Sequence, residues 1–231
     1  MFKKVLFAMT IIATIAFAQN DSDTKIINGI EAVLVKAGNF ITKDTISITL
    51  TEDFYISKYE ITQAQFQAVM GFNPSYFVDD NKPVDSVTWL NAENFCRAVG
   101  GFLPTEAQWE FAARGGNKSE NYLYSGSNNL NDVAWHYGNS NNETKPVGQK
   151  LPNELGIYDM SGNVWEWTAD WYQYVYPSSH TNPTGASILT NPVFRGGSWG
   201  FLEGGCRVSF RGSQITTTIT AASVRHGQHR I

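Results

Sequence analysis

The chain has 231 residues, a formal net charge of −4 and 13% aromatic residues, with no run of Lys or Arg after Lys3 and Lys4. This composition excludes a disordered chain, and its acidic balance offers no electrostatic footprint to a phosphate backbone, so nucleic acid is not an expected partner. Only Cys96 and Cys206 occur, too few for a disulfide-scaffolded fold.

Lys3 and Lys4 precede an apolar run that ends in Ala16-Phe17-Ala18 before Gln19, so residues 1–18 read as a secretory signal peptide. The run is too short for a comfortable membrane span, and no cysteine stands at the cleavage point to carry a lipid. The mature protein is expected in the periplasm or secreted, with no stable membrane span. An oxidising compartment permits a Cys96–Cys206 disulfide, and two buried apolar thiols fit the sequence equally well. About 210 residues remain, enough for one large domain with a substantial core.

Residues 19–29 are polar and read as a flexible lead-in. Residues 30–35 and 46–50 carry the β-branched alternation of strands, and 53–60 read as a third. Thr62-Gln63-Ala64-Gln65 has capping-box spacing, with Ile61 as the outer half of a hydrophobic staple, and predicts a helix to about Met70. Thr88 opens a second helix with Ala92, Phe95, Cys96 and Val99 on one face and Gly100-Gly101 as its stop. Thr105-Glu106-Ala107-Gln108 opens a third, with Trp109, Ala112 and Ala113 as a buried stripe and Gly115-Gly116 at its end. From 117 to 142 periodicity disappears in a stretch rich in Asn, Gly, Ser and Tyr, which suits long ordered loops.

Residues 158–171 concentrate Trp165, Trp167 and Trp171 with Asp159, Glu166 and Asp170. A strand puts Trp165 and Trp167 on one face, whereas Gly162, Asn163 and the acids suit a turn that directs carbonyls inward. Hard oxygen ligands beside aromatic walls point to a cation site or a structured pocket.

The segment Leu103-Pro104-Thr105-Glu106-Ala107-Gln108-Trp109-Glu110-Phe111-Ala112-Ala113-Arg114-Gly115-Gly116 closely resembles a signature of the formylglycine-generating enzyme, or sulfatase-modifying factor, family. Further blocks agree in order: Phe95-Cys96-Arg97, Pro146-Val147-Gly148, the tryptophan block, and Phe194-Arg195-Gly196-Gly197-Ser198-Trp199. The resemblance spans about 30–211 and implies an α+β domain over 30–213, a C-type-lectin variant with little regular secondary structure and long loops held by calcium. It implies a structural calcium site at Asp159, Gly162, Val164 and Glu166, built from carboxylates and backbone carbonyls. The family's first calcium loop is shortened here between Ala134 and Thr144, and no ligand is assigned there.

In catalytic members two cysteines after the Gly-Gly-Ser motif bind copper and oxidise a substrate cysteine to formylglycine. Those positions fall on Phe201 and Cys206 here, and a phenyl ring supplies neither a nucleophile nor a soft copper ligand. Copper, with Cys206 and Ser198 as catalytic residues, belongs only to the enzyme alternative. Gly196-Gly197-Ser198 also lacks nucleophile-elbow spacing, so Ser198 reads as a hydrogen-bonding residue of a core turn. His136 and His180 lie in loops and His226 and His229 in the tail, and the loop pair reads as solvated. The expected function is therefore ligand binding, to protein or carbohydrate, through the loop surface at 172–176 and 199–205. A retroelement-diversified ligand-binding protein is a further alternative on the same fold.

Residues 214–231 depart from the pattern. Family members end in an arginine, a Pro-Asp pair and a closing Gly-Phe-Arg strand, whereas this tail has no acid and no aromatic residue. Its absence implies an uncovered core patch and an unpaired sheet edge. In the shifted reading frame, codons 213–215 permit Pro-Asp and codons 221–224 permit Gly-Phe-Arg, which suggests a frameshift near Ser213. The nucleotide sequence is expected to encode Gly-Phe-Arg in that frame, and any other residues there remove the frameshift reading.

Overall fold

The computed structural model describes residues 23–173, 180–185, 191–213, 222, 223, 225 and 227–229. The signal segment, residues 174–176 of the expected 172–176 rim, His226 and most of the 214–231 tail lie outside them. The chain begins with strands β1 (Thr24–Ile27), β2 (Ile30–Val35), β3 (Gly38–Ile41), β4 (Ser47–Leu50) and β5 (Phe54–Ser57). Helices α1 (Gln63–Met70), α2 (Trp89–Ala98), α3 (Glu106–Ala113) and the single turn α4 (Leu130–Val133) follow. The second half contributes β6 (Trp165–Trp171), β7 (Pro192–Arg195), β8 (Gly212–Ser213), β9 (Ala222–Ser223) and β10 (Gly227–His229).

These strands form three small sheets. One has the antiparallel order β1-β2-β5-β10, one is the β3-β4 hairpin, and one has the order β8-β7-β6-β9 with β9 parallel to β6. The result is a mixed α+β architecture in which loops carry much of the chain. β2, β4 and β5 pack on α3 through Val33, Ile48, Phe54, Ile56 and Phe111. A second core joins α1 and α2 to the β6-β7 sheet, with Phe66 stacked on Phe95 at 5.4 Å and Trp165 and Trp167 buried beside them. Burial of such rings is the main favourable term in a domain with so little regular structure.

The helix boundaries follow local chemistry. Thr62 and Thr105 each complete a capping box with the glutamine three residues on, and Thr88 caps α2 through Asn91 N–H. Gly71 closes α1 in the left-handed conformation. The third expected strand is shorter than 53–60, because β5 ends at Ser57 before the chain turns into α1.

Three expectations need correction. The lead-in 19–29 is not flexible over its second half: Thr24–Ile27 pairs antiparallel with β2, because β2 is buried over five of its six residues and would otherwise expose its outer edge. The edge of β5 is not left open either. Gly227 pairs with Ile56 and His229 with Phe54, and Gly227 exchanges backbone hydrogen bonds of 2.8 and 3.0 Å with Phe102. Edge pairing is a main-chain interaction and needs only an extended segment, so a tail of unrelated sequence serves. The expected α3 stripe of Trp109, Ala112 and Ala113 is wider in the structure, where Glu106 and Glu110 are buried as well.

Thr105→Ala is expected to destabilise the domain by about 1 kcal/mol, seen in thermal denaturation as a fall in Tm of about 2–4 °C.

Candidate functional site

The turn before β6 is built by backbone geometry. Gly162 has φ +81°, and a Cβ there would collide with the Trp135 carbonyl oxygen, so no other residue fits. Asn163, also left-handed at φ 54°, ties three loops together. Its backbone N–H donates to Trp135 O at 2.8 Å, its side-chain amide donates to Glu60 Oε2 at 2.7 Å, and its carbonyl accepts from Trp199 N–H at 2.7 Å. Lys145 N–H donates to Asn163 Oδ1 at 3.0 Å. Turn and strand readings of this block are thus both correct, in succession: the turn ends at Val164 and Trp165 opens β6.

The four expected calcium residues, Asp159, Gly162, Val164 and Glu166, run through this turn to the second residue of β6. Glu166 has no exposed surface; its Oε2 accepts from Trp109 Nε1 at 2.6 Å and from Arg225 Nε at 2.7 Å, and its Oε1 from Arg225 Nη2 at 2.8 Å. Asp159 Oδ2 accepts from Gly148 N–H at 2.7 Å, while Asp159 Oδ1 is buried without a hydrogen-bond partner. Glu60 completes the group by accepting from Asn163 and from Val164 N–H at 3.2 Å. Burial pushes the Glu60 carboxyl well above its ordinary range and raises Asp159 to about 6. The buried, unpartnered Asp159 Oδ1 fits an oxygen-liganded cation, which Asp159, Glu166 and the carbonyls of Gly162 and Val164 would hold, while Arg225 places one positive charge beside Glu166.

A second charge cluster lies on the other side of Trp109. Arg195, fully buried, donates to Glu106 Oε1 at 2.9 Å, to Glu110 Oε2 at 2.7 Å and to Val208 O at 2.7 Å, with its guanidinium 5.1 Å from the Trp109 ring centroid. Arg211 adds a two-pronged contact to Glu106 at 2.6 and 2.7 Å. Asp170 on β6 accepts from Glu106 N–H at 2.6 Å, and burial raises its carboxyl to about 7. The sequence analysis missed Glu60, Arg225 and the Glu106–Glu110–Arg195 cluster. Two acids four apart inside an otherwise apolar helix were the available signal for the last.

The positions where copper chemistry would sit are occupied differently. Phe201 packs edge-on to Trp165 at 4.8 Å, and Trp165 also meets Phe194 at 4.9 Å and Phe210 at 5.7 Å. Cys206 is buried, and desolvation pushes its thiol to about 12, so it is a neutral thiol at physiological pH. Gly197, at φ +84°, lets this turn close on the sulfur, which a Cβ would approach to 2.7 Å. Ser198 is buried in the same turn and its carbonyl accepts from Phe201 N–H at 3.0 Å. Cys96 is also a free buried thiol and belongs to a different core cluster from Cys206, so no disulfide joins them. One neutral thiol, with a phenyl ring at the other position, does not fit a two-thiolate copper site.

His136 is not poised for catalysis. Gly138 N–H donates to its Nδ1 at 3.2 Å, which leaves Nε2 to donate to Asn131 Oδ1 at 3.0 Å, and burial lowers its pKa. His180 is exposed, contributing only its carbonyl to Thr49 N–H.

Around this turn the surface is apolar. Leu202 is 71% exposed and Phe201 46%, and Tyr137, whose N–H donates to Phe201 O at 3.1 Å, is 59% exposed. The face continues through Trp199, packed on Phe77 at 5.5 Å, to Tyr76 at 4.9 Å from Phe77. Of the expected 172–176 rim, the Tyr172 ring has the Arg211 guanidinium at 5.1 Å. A separate cavity of about 310 Å³ lies beside the start of α3, lined by Leu50, Phe102, Leu103 and Ala169 with Glu52 and Asn182.

The pattern of residues 17–223 matches the family described as the sulfatase-modifying factor enzyme 1-like domain. The chain is 36% identical over 242 residues to "Chaperone protein LppX" of Paenibacillus barcinonensis, covering 79% of this chain and 83% of that protein. It is 38% identical over 134 residues to the mouse "Formylglycine-generating enzyme", covering 52% of this chain but only 36% of the enzyme. Among solved structures, "Treponema denticola variable protein 1" superposes with a TM-score of 0.79 at 26% identity, over 90% of this chain and 98% of that one.

Asp170 sets a pH dependence. Because its folded pKa, about 7, lies above the ordinary carboxyl value of 3.8, the folded state holds a proton that the unfolded state releases. Its contribution to stability is greatest at the acid end and declines as pH rises through that window. Tm measured across the window is expected to show this component in the native chain and to lose it in Asp170→Asn, which keeps an acceptor for Glu106 N–H.

Proposed function

Since the chain belongs to the sulfatase-modifying factor enzyme 1-like domain family, we propose that it is an exported, non-catalytic member that binds a protein ligand through the face around Trp199, Phe201 and Leu202. The observation that carries this reading is Phe201. It stands where the chemistry needs a thiolate, and its ring is committed to Trp165. The remaining thiol is buried and neutral, a structural state rather than a nucleophilic one.

The same substitution that removes a metal ligand enlarges an apolar surface. An exposed Leu beside exposed Phe and Tyr rings is the composition of a protein-binding patch, since aliphatic carbon offers little to a sugar hydroxyl. The face stands on a rigid base, because Trp199 N–H donates to Asn163 O, the Ser140 hydroxyl to Trp199 O and Tyr137 N–H to Phe201 O. Carbohydrate binding is the weaker form of this proposal. The likeness to a solved protein titled a variable protein favours a diversified binding protein as its closest functional variant, and a neighbouring reverse-transcriptase gene would distinguish that case.

The enzyme reading draws on the mouse formylglycine-generating enzyme, identical at 38% of aligned positions. A cysteine-containing sulfatase peptide incubated with the protein, copper and oxygen is expected to show no formylglycine by mass spectrometry. Turnover that disappears in Cys206→Ser would replace the binding proposal with the oxidase. Leu202→Asp is expected to leave Tm within about 1 °C, as for other exposed positions, and to weaken capture of extracellular protein ligands at least about tenfold.

A further inference from the structure

We propose that the cavity beside the start of α3 is a binding site for a small cationic amine with an apolar body. It is separate from the face around Trp199, Phe201 and Leu202, and the proposal stands whether or not that face binds a protein.

Size and lining set the ligand class. The cavity holds about 310 Å³, whereas close-packed protein interiors leave few voids larger than a water molecule. That volume is at the lower end of small-molecule pockets, so the occupant is small. Leu50, Leu103 and Pro183 are buried and form an apolar floor, while Glu52, Asn182 and Thr184 are exposed and frame the mouth. Among the described residues Glu52 is the one charged group in the lining. A carboxylate above an apolar floor favours an ammonium group at the mouth and repels an anion.

The polar groups narrow the choice. The capping box of α3 engages the Gln108 side-chain oxygen, which accepts from Thr105 N–H at 2.9 Å, and leaves the amide nitrogen as a donor in the lining. Asn182 is engaged through both side-chain ends: Oδ1 accepts from Thr51 N–H at 2.9 Å and Nδ2 donates to Thr51 Oγ1 at 2.6 Å. The lining therefore offers an acceptor at Glu52 and a donor at Gln108. A phenolic amine matches both, with its ammonium at Glu52, its ring on the apolar floor and its hydroxyl oxygen at Gln108.

The wall of the cavity is held from two sides. Thr49 N–H donates to His180 O and Asn182 N–H to Thr49 O, both at 2.8 Å, which with the Asn182 side chain ties 180–182 to the end of β4. The Asp170 carboxylate accepts from the Gly185 backbone, and Gly185 lies so close to β6 that a Cβ there would meet Trp171 N at 2.6 Å. Pro183 and Thr184 bridge these anchors. Ala169 N–H donates to Pro104 O at 2.9 Å and fixes β6 against the start of α3. The cavity is thus preorganised by main-chain contacts, which lowers the ordering cost of binding.

The test is isothermal titration calorimetry of the purified full chain with three probes: tyramine, para-ethylphenol, which lacks the amine, and para-hydroxyphenylacetate, which carries a carboxylate in its place. Tyramine is expected to bind saturably with a Kd of about 1 mM or tighter, para-ethylphenol about fivefold more weakly, and para-hydroxyphenylacetate not measurably. Glu52→Gln is expected to keep Tm within about 1 °C and to lower the affinity for tyramine to that for para-ethylphenol. Ala169→Leu, with its fold checked by circular dichroism, is expected to fill the cavity and abolish binding of both. Failure of the wild type to bind tyramine, equal binding of all three probes, tyramine affinity unchanged in Glu52→Gln, or binding retained in Ala169→Leu would overturn the proposal. If Ala169→Leu does not fold, the probe series and Glu52→Gln decide the matter.

Discussion

Trp109 is wedged between two buried charge groups, donating its indole N–H to Glu166 while Arg195 lies over its ring, and most of the loop structure hangs from this arrangement. On one side Arg225 joins β9 and β10 to Glu166, Ser57 and Tyr158. On the other, Arg195 and Arg211 join β7 and the chain before β8 to the two acids of α3. Buried ion pairs of this kind add little net stability relative to an apolar core, but removing one partner leaves a charge stranded in the interior. Their effect here is to specify one arrangement of loops that have few ladder hydrogen bonds of their own.

The same constraint explains how an irregular surface can present a defined face. Backbone polar groups in long loops must be satisfied without helix or sheet. Asn163 does this for three loops at once, and His136, Asn139 and Ser140 do it for the short loop beyond α4. Tyr137, Trp199 and Phe201 are thereby held by main-chain contacts, and their side chains are free to face outward. A face built this way keeps its backbone when its side chains change, which suits a scaffold that hosts different functions in different relatives.

Loss of chemistry and gain of apolar surface are two aspects of one substitution. A thiol at 201 would be small and polarizable, whereas the phenyl ring packs on Trp165, which also meets Phe194 and Phe210, and continues to the solvent. Cys206, left without a partner thiol, is enclosed by the Gly197 turn and behaves as a small core residue.

Local signals in the sequence determined the three long helices and their caps, because a threonine cap, backed in α1 and α3 by a glutamine three residues on, settles a helix start within a single turn of chain. They also determined the glycine-asparagine turn before β6, the family and the missing thiol, since each is a matter of residue type at a short spacing. Tertiary structure alone decided that the segment at 24–27 is a strand, that Glu60 lies beside Asp159 and Glu166, and that an arginine 59 residues beyond Glu166 pairs with it. The reason is physical: edge strands and buried ion pairs depend on which main-chain edges and which charges meet in space, and such encounters leave no periodicity in the sequence. For the tail this distinction is sharpest, because its residues carry no recognisable pattern, yet Gly227–His229 pairs with the edge of β5.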